Sequence, residues 1–145
     1  MLTIRNARRR DRFELKKCNE RNLSENYDIG VWDQCLTKHA GKCKVLCDPQ
    51  NKSGPDSVCG YILADDNTII SFAVDKEYRG QKYGDRLLEE CIKVCTSKTL
   101  TLHVRQTNIV AQNLYKKYGF RISESLNDYY AEPDRLAYTM VLTLT

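Results

Sequence analysis

Ile70-Ser71-Phe72-Ala73-Val74-Asp75-Lys76-Glu77-Tyr78-Arg79-Gly80-Gln81-Lys82-Tyr83-Gly84 carries the chain from an apolar run, through a turn with two glycines, into its most regular helical pattern. From Tyr83 to Lys98, Leu87, Leu88, Cys91, Ile92, Val94 and Cys95 recur at helical spacing. A strand, a tight turn and a helix start in that order point several backbone N–H groups at one place, where the helix dipole also favours negative charge. A diphosphate fits such a cradle. The spacing holds neither GxxxxGK[ST] nor GxGxxG, so it is neither a P-loop nor a dinucleotide-binding turn. Taken alone, it is equally compatible with an ordinary strand-to-helix connection.

Outward from that turn, the period of the apolar residues switches repeatedly between two and 3.6. Leu2 to Ala7 alternates as a half-buried strand does, and Asp11 to Asn22 reads as a helix with Phe13, Leu15 and Cys18 among charges. Asn22 to Asp28 has loop composition, and Ile29 to His39 reads as a second helix. Lys42 to Cys47 and Val58 to Ala64 flank the turn-rich stretch Asp48 to Pro55, as two antiparallel strands do; Thr68 to Val74 is a further strand. Thr99 to Arg105 alternates cleanly, placing His103 and Arg105 together on one face. Ile109 to Tyr118 is a helix stopped by Gly119, and strands over Arg121 to Leu126 and Arg135 to Leu142 follow, joined by the loop Asn127 to Asp134. This order predicts one α/β domain, a mixed sheet covered by helices.

A second segment, Asn108-Ile109-Val110-Ala111-Gln112-Asn113-Leu114-Tyr115-Lys116-Lys117-Tyr118-Gly119-Phe120, changes the weight of the turn. Arg79-x-x-x-x-Gly84 after a strand, followed by Asn-x-x-Ala-x-x-Leu-Tyr-x-x-x-Gly-Phe, resembles the GNAT superfamily of N-acetyltransferases. Met1 to Arg8, Leu23 to Tyr27, Leu102 to Arg105 with Asn108, and Tyr129-Tyr130 with Ala137 to Met140 narrow this to a resemblance to the catalytic subunits of NatA-type N-terminal acetyltransferase complexes. The resemblance implies a GNAT fold over residues 1–145 as a single domain: a mostly antiparallel seven-stranded sheet with about four helices. It implies acetyl-coenzyme A as co-substrate, held by Phe72, Ala73 and Val74 on the strand edge, by the turn Arg79, Gly80, Gln81, Lys82, Tyr83 and Gly84, and by Asn108 and Tyr115. Leu23, Glu25, Tyr27, Arg105, Tyr129 and Tyr130 would border the peptide groove. The implied partners are nascent or short peptide N-termini, a helical-repeat auxiliary subunit and, through it, the ribosome.

The chemistry needs a base, because an N-terminal amine of pKa about 8 is mostly protonated at neutral pH. Glu25 is the first candidate and His103 the second, with Arg105 positioning substrate; Tyr115 is the expected acid for the departing thiolate. Direct transfer is expected, since no cysteine occupies a nucleophile position of the resembled family. Outside the resemblance, each of these is an ordinary loop acid, sheet-face histidine or core tyrosine. Three departures stand out. Lys82 replaces a glycine, which strains the turn if its φ is positive but leaves its N–H usable if it sits in the first helical turn. Ser24 stands where the family has proline, and Thr68 where it has a histidine.

Composition sets the outer limits. With 145 residues, 41% hydrophobic and 29% charged, the chain reads as an ordinary globular protein with no membrane span, and Met1 to Arg10 lacks the pattern of a signal peptide. Seven cysteines, an odd number, argue for free thiols and a cytoplasmic protein, and their spacings do not suggest a metal site. Arg5, Arg8, Arg9, Arg10 and Arg12 crowd the start, either as a solvated helix entry or as a patch for an anionic surface such as ribosomal RNA. No sequence-specific nucleic-acid binding is expected. Two other readings stay open: an acetyltransferase of the same fold for a ribosomal protein or for lysine, and an acetyl-coenzyme A-binding module whose catalysis has lapsed.

Overall fold

Helical and strand periods alternate along the chain because successive segments bury one face each, and the computed structural model, which describes residues 2–50, 57–130 and 136–144, follows that alternation. The elements are β1 (Thr3–Asn6), α1 (Arg12–Asn22), α2 (Ile29–Lys38), β2 (Lys44–Cys47), β3 (Val58–Ala64), β4 (Ile69–Val74), α3 (Tyr83–Val94), β5 (Thr99–Arg105), α4 (Ile109–Lys117), β6 (Arg121–Leu126) and β7 (Ala137–Thr143). The expected seven strands and four helices are present, in a four-stranded sheet of order β1-β2-β3-β4 and a three-stranded sheet of order β5-β7-β6. By contact density the chain divides into two units: Met1–Asp66 with Ile70–Cys95, and Asn67–Ile69 with Thr96–Thr145.

In the first unit β1 and β3 flank β2 in antiparallel register, Ile4 opposite Leu46 and Val45 opposite Tyr61. Every residue of β3 is buried, which explains its unbroken apolar run. α1 packs on α2 and β3, and α3 on β2 and β3. Trp32 and Tyr61 meet edge to face at 5.2 Å inside a core that includes Leu15, Cys18, Leu36 and Leu63. Leu87 and Leu88 of α3 are fully buried, and each contributes about 2 kcal/mol of hydrophobic stabilisation.

The second unit is built on β7. β5 pairs with it antiparallel, His103 opposite Thr139 and Arg105 opposite Ala137, and β6 pairs on its other side with a bulge between Ile122 and Glu124. Thr68 bridges Thr101 in parallel, and the Asn67 carbonyl accepts the Thr101 N–H at 2.7 Å. Leu100, Leu102 and Val104 are buried, as the alternation of β5 predicts. Gly119, at φ 98, closes α4: its N–H reaches the Lys116 carbonyl at 3.0 Å while the Phe120 N–H reaches that of Tyr115 at 3.1 Å.

Most elements differ from the sequence reading by one residue or two at an end, and three of the differences bear on the elements around the site. α3 stops at Val94 rather than Lys98, because Cys95 turns extended and Thr96 and Ser97 are weak helix formers. Ala40–Lys42 is a 3-10 turn, so β2 begins at Lys44 rather than Lys42. β1 is shorter by its terminal residues. Much of the turn after Asp48, the loop residues 131–134 and the expected start of the last strand at Arg135 lie outside the described residues.

Three members of the arginine cluster make contacts within the protein. Arg5 grips buried Asp11 through both oxygens at 2.8 and 2.9 Å, and Arg9 pairs with Asp33 of α2 at 2.5 Å. Arg12 lies 4.6 Å from the centroid of the Phe13 ring. Burial raises the Asp11 carboxyl, but the Arg5 fork and the Arg8 N–H outweigh it and hold the group below the usual carboxylate range.

Candidate active site

The two units carry separate sets of candidate residues. In the first, the turn between β4 and α3 has Gly80 at φ 77 and Lys82 at φ 67, ψ 18. Lys82 therefore takes the strained alternative: a left-handed lysine costs about 1 kcal/mol relative to glycine. A Cβ at Gly80 would meet nothing within 4 Å, so glycine is needed there for its dihedral angle and not for space. Among the described residues, the N–H groups of Gly80, Gln81, Lys82, Tyr83 and Gly84 make no hydrogen bond. Clustered at the first turn of a twelve-residue helix, they suit a diphosphate.

Arg79 is tied into the protein. Its Nε donates to the Val74 carbonyl and its Nη2 to Asn22 Oδ1, both at 2.8 Å. Asn22 in turn donates to Asp75 Oδ1 at 2.6 Å and to the Cys18 carbonyl at 2.8 Å, while Arg21 pairs with Asp75 Oδ2 at 2.9 Å. The Tyr78 hydroxyl donates to Asp48 at 2.6 Å. The end of α1 thus clamps the turn. Asn22, Asp75 and Tyr78 were not singled out by sequence reasoning; the one signal for them is their position beside the two ends of the cradle.

β4 is the edge strand of its sheet, which leaves it the capacity to pair with an extended ligand arm. Ser71 and Ala73 are buried while Phe72 and Val74 are half-buried, an alternation that turns the latter two to the other face. The loop after α1 is stitched to this unit: Leu23 caps α1 through its N–H to Asn19, Asn19 Nδ2 donates to the Glu25 carbonyl at 3.0 Å, and the Tyr27 hydroxyl donates to the Ile70 carbonyl at 3.2 Å. The Ser24 hydroxyl donates to Glu25 Oε2. Where the resembled family has a rigid proline, a hydrogen bond orients the carboxylate.

In the second unit, Asn108 caps α4, its Oδ1 accepting the Ala111 N–H at 3.1 Å, so its side-chain NH2 is left for a ligand. Gln112, which the sequence reading passed over, is buried and donates to the carbonyls of Arg105 and Gln106 at 3.1 and 3.0 Å, fixing the corner between β5 and α4. Tyr115 on the same helix is buried against Phe120, 5.7 Å between ring centroids. Burial pushes its phenol far above the ordinary range, so the hydroxyl keeps its proton.

His103 and Arg105, on one face of β5, each meet a tyrosine of the loop after β6. The Tyr129 ring stacks on His103, Tyr130 meets Tyr129 edge to face at 4.8 Å, and the Arg105 guanidinium lies 4.4 Å from the Tyr130 ring centroid. Burial lowers the His103 pKa from its ordinary value, opposed by Glu124, which favours the neutral imidazole. The structure brings together His103, Arg105, Tyr129 and Tyr130 here, and Leu23, Glu25 and Tyr27 beside β4 in the first unit.

Residues 4–120 match the model of the acetyltransferase (GNAT) family. A putative [ribosomal protein bS18]-alanine N-acetyltransferase of Bacillus subtilis is 37% identical over 59% of this chain, which spans about 60% of that relative's length. The N-terminal acetyltransferase A complex catalytic subunit ard1 of Schizosaccharomyces pombe is 29% identical over 96% of this chain and 84% of its own. Among solved structures, the NatC complex bound to Gag peptide and CoA contains a chain that superposes with a TM-score of 0.89 at 24% identity, covering 99% of both chains; that likeness bears on the fold.

Proposed function

The chain belongs to the acetyltransferase (GNAT) family, and we propose that within it the protein is an acetyl-coenzyme A-dependent N-terminal α-amino acetyltransferase, a single domain of the type found in NatA catalytic subunits. The observation that carries this reading is the turn from Gly80 to Gly84, whose N–H groups at the start of α3 make no hydrogen bond among the described residues. The near full-length likeness to ard1 supports the choice of an N-terminal amine as acceptor.

Acetyl-coenzyme A supplies the acetyl group as a reactive thioester. In the first unit the turn holds the diphosphate, Phe72 to Val74 pair with the extended arm, and a β4 N–H stabilises charge developing on the acyl oxygen. Glu25, aimed by Ser24 and held by Asn19, takes the proton of the amine directly or through water. In the second unit neutral His103 is the alternative base, and Asn108 adds donors for the cofactor. Arg105, with Tyr129 and Tyr130, borders the peptide. Tyr115, protonated throughout the neutral range, gives its proton to the leaving thiolate. An auxiliary subunit, the ribosome beyond it and a cytosolic location complete the reading. None of the seven cysteines is in a disulfide, and among the described residues no helix is long and apolar enough to cross a membrane.

The second reading, a ribosomal-protein alanine acetyltransferase, is favoured by the identity to the Bacillus protein. Turnover with acetyl-coenzyme A and a panel of short peptides separates the two. Acetylation of many peptides beginning Ser, Ala, Asp or Glu supports the first reading, and acetylation of one ribosomal N-terminus alone supports the second. Cofactor binding with no acetylation of any peptide would mark a lapsed module and defeat both.

A further inference from the structure

In the first unit, a cavity of about 360 Å³ opens where the end of α2, the start of β2 and the end of α3 meet, with Asn6, Lys38, His39, Lys42, Lys44 and Asp66 on its walls. None of the residues assigned to acetyl transfer lines it. Lys42 donates to Asp66 Oδ1 at 2.7 Å, and His39 Nδ1 lies 3.6 Å from the same oxygen. Lys44 is different. It is only 7% exposed, and among the described residues its ammonium has one partner, the neutral Oδ1 of Asn6, at 2.5 Å across the β1–β2 register.

An ammonium has three N–H donors, and withdrawing it from water without a counter-charge is costly. Lys38, exposed at the rim, likewise makes no ion pair among the described residues. Three lysines stand against the lining carboxylate of Asp66 and against Asp65, which is close enough to act on Lys42, leaving a local excess of about one positive charge. The negative end of the α3 dipole, where Val94 lines the wall, offsets only about half a charge. Lys44 has N–H donors beyond the one that reaches Asn6, and these suit an anion that presents several acceptor oxygens, as a phosphomonoester does. A carboxylate has two such oxygens to a phosphomonoester's three, and the cavity volume sits at the small end of ligand sites, large enough for more than a bare ion.

We propose that this cavity is a binding site for a small phosphomonoester, with Lys44 as its buried anchor and Lys38 and Lys42 closing on the phosphate from the rim. The site is independent of the acetyl-transfer chemistry.

Amide NMR of the ¹⁵N-labelled full chain, titrated with glycerol 3-phosphate, with inorganic phosphate and with chloride at matched ionic strength, resolves it residue by residue. The ester should give saturable shifts at Asn6, Gly41, Lys42 and Lys44, inorganic phosphate weaker ones at the same amides, and chloride none. Because Lys38 is exposed, Lys38→Glu keeps the fold and should weaken the ester at least about tenfold, the loss of one charge-assisted contact. Lys44→Met should abolish binding; if that variant fails to fold, Lys38→Glu alone decides. Shifts that do not saturate, that are confined to Gly80–Gly84, or that are unchanged in Lys38→Glu overturn the proposal.

Discussion

The Tyr129 hydroxyl lies 3.1 Å from Nδ1 of His103, with the two rings stacked at 4.6 Å between centroids. For His103 to act as a base through Nε2, Nδ1 must carry the proton, and in that tautomer the Tyr129 oxygen is placed to accept it. Tyr129→Phe is expected to lower kcat about tenfold with acetyl-coenzyme A affinity unchanged, and ¹⁵N chemical shifts of the imidazole should move toward the other tautomer.

The same histidine sets an acid limb. Burial lowers its folded pKa from the ordinary imidazole value, so the native state favours the neutral ring and takes up its proton at lower pH than the unfolded chain does. Activity that depends on His103 therefore falls as pH drops through that lowered pKa, and the stability its neutral form supplies is lost in the same direction. A pH profile of kcat/KM should show this limb in the native protein and lose it in His103→Gln; an unchanged profile leaves Glu25 as the base.

Glu25 and Tyr115 belong to different units and to opposite proton transfers. Glu25→Gln and Tyr115→Phe should each reduce kcat by about 10²-fold while the dissociation constant for acetyl-coenzyme A shifts little. Ser24→Ala, which frees the Glu25 carboxylate from its hydroxyl partner, should have a smaller effect in the same direction. Steady-state kinetics beside calorimetric cofactor binding tests all three, and full turnover in the first two would remove their roles.

Lys82 holds a left-handed conformation at the entry to α3. Lys82→Gly should raise the unfolding free energy by about 1 kcal/mol in urea titration, since glycine adopts that conformation without strain. Gly80→Ala, at φ 77 and with open space around its Cβ, should cost about as much. If Lys82→Gly destabilises, the ammonium has a contact that outweighs the strain.

Asn22 joins Arg79 to Asp75 at distances of 2.8 and 2.6 Å. Asn22→Ala should loosen the turn without touching the chemistry, raising KM for acetyl-coenzyme A several-fold at nearly constant kcat. A fall in kcat with KM unchanged would contradict a purely positioning role.

Local pattern alone identified every helix and strand here, because each buries one periodic face: Leu87, Leu88 and Cys91 on α3, or Leu100, Leu102 and Val104 on β5. The cradle was legible for the same reason, since strand, glycine turn and helix are contiguous in the chain. Asn22, Gln112 and Ser24 were opaque because a polar side chain shows its purpose only through a partner brought near by folding. Alternation put His103 and Arg105 on one face, but not which tyrosine each would meet. Where α3 ends also escaped the pattern, Cys95 being apolar enough to extend it and Thr96-Ser97 stopping it.

By itself, then, the order of residues determined the family, the seven strands and four helices, and the place of the phosphate turn, all properties of short-range periodicity and contiguous motif. Only the tertiary structure decided that Lys82 is left-handed, that Arg79 is consumed in clamping its own turn, and that Lys44 is buried beside an amide instead of an acid. Those outcomes depend on contacts between residues far apart in the chain, whose energies no local spacing encodes.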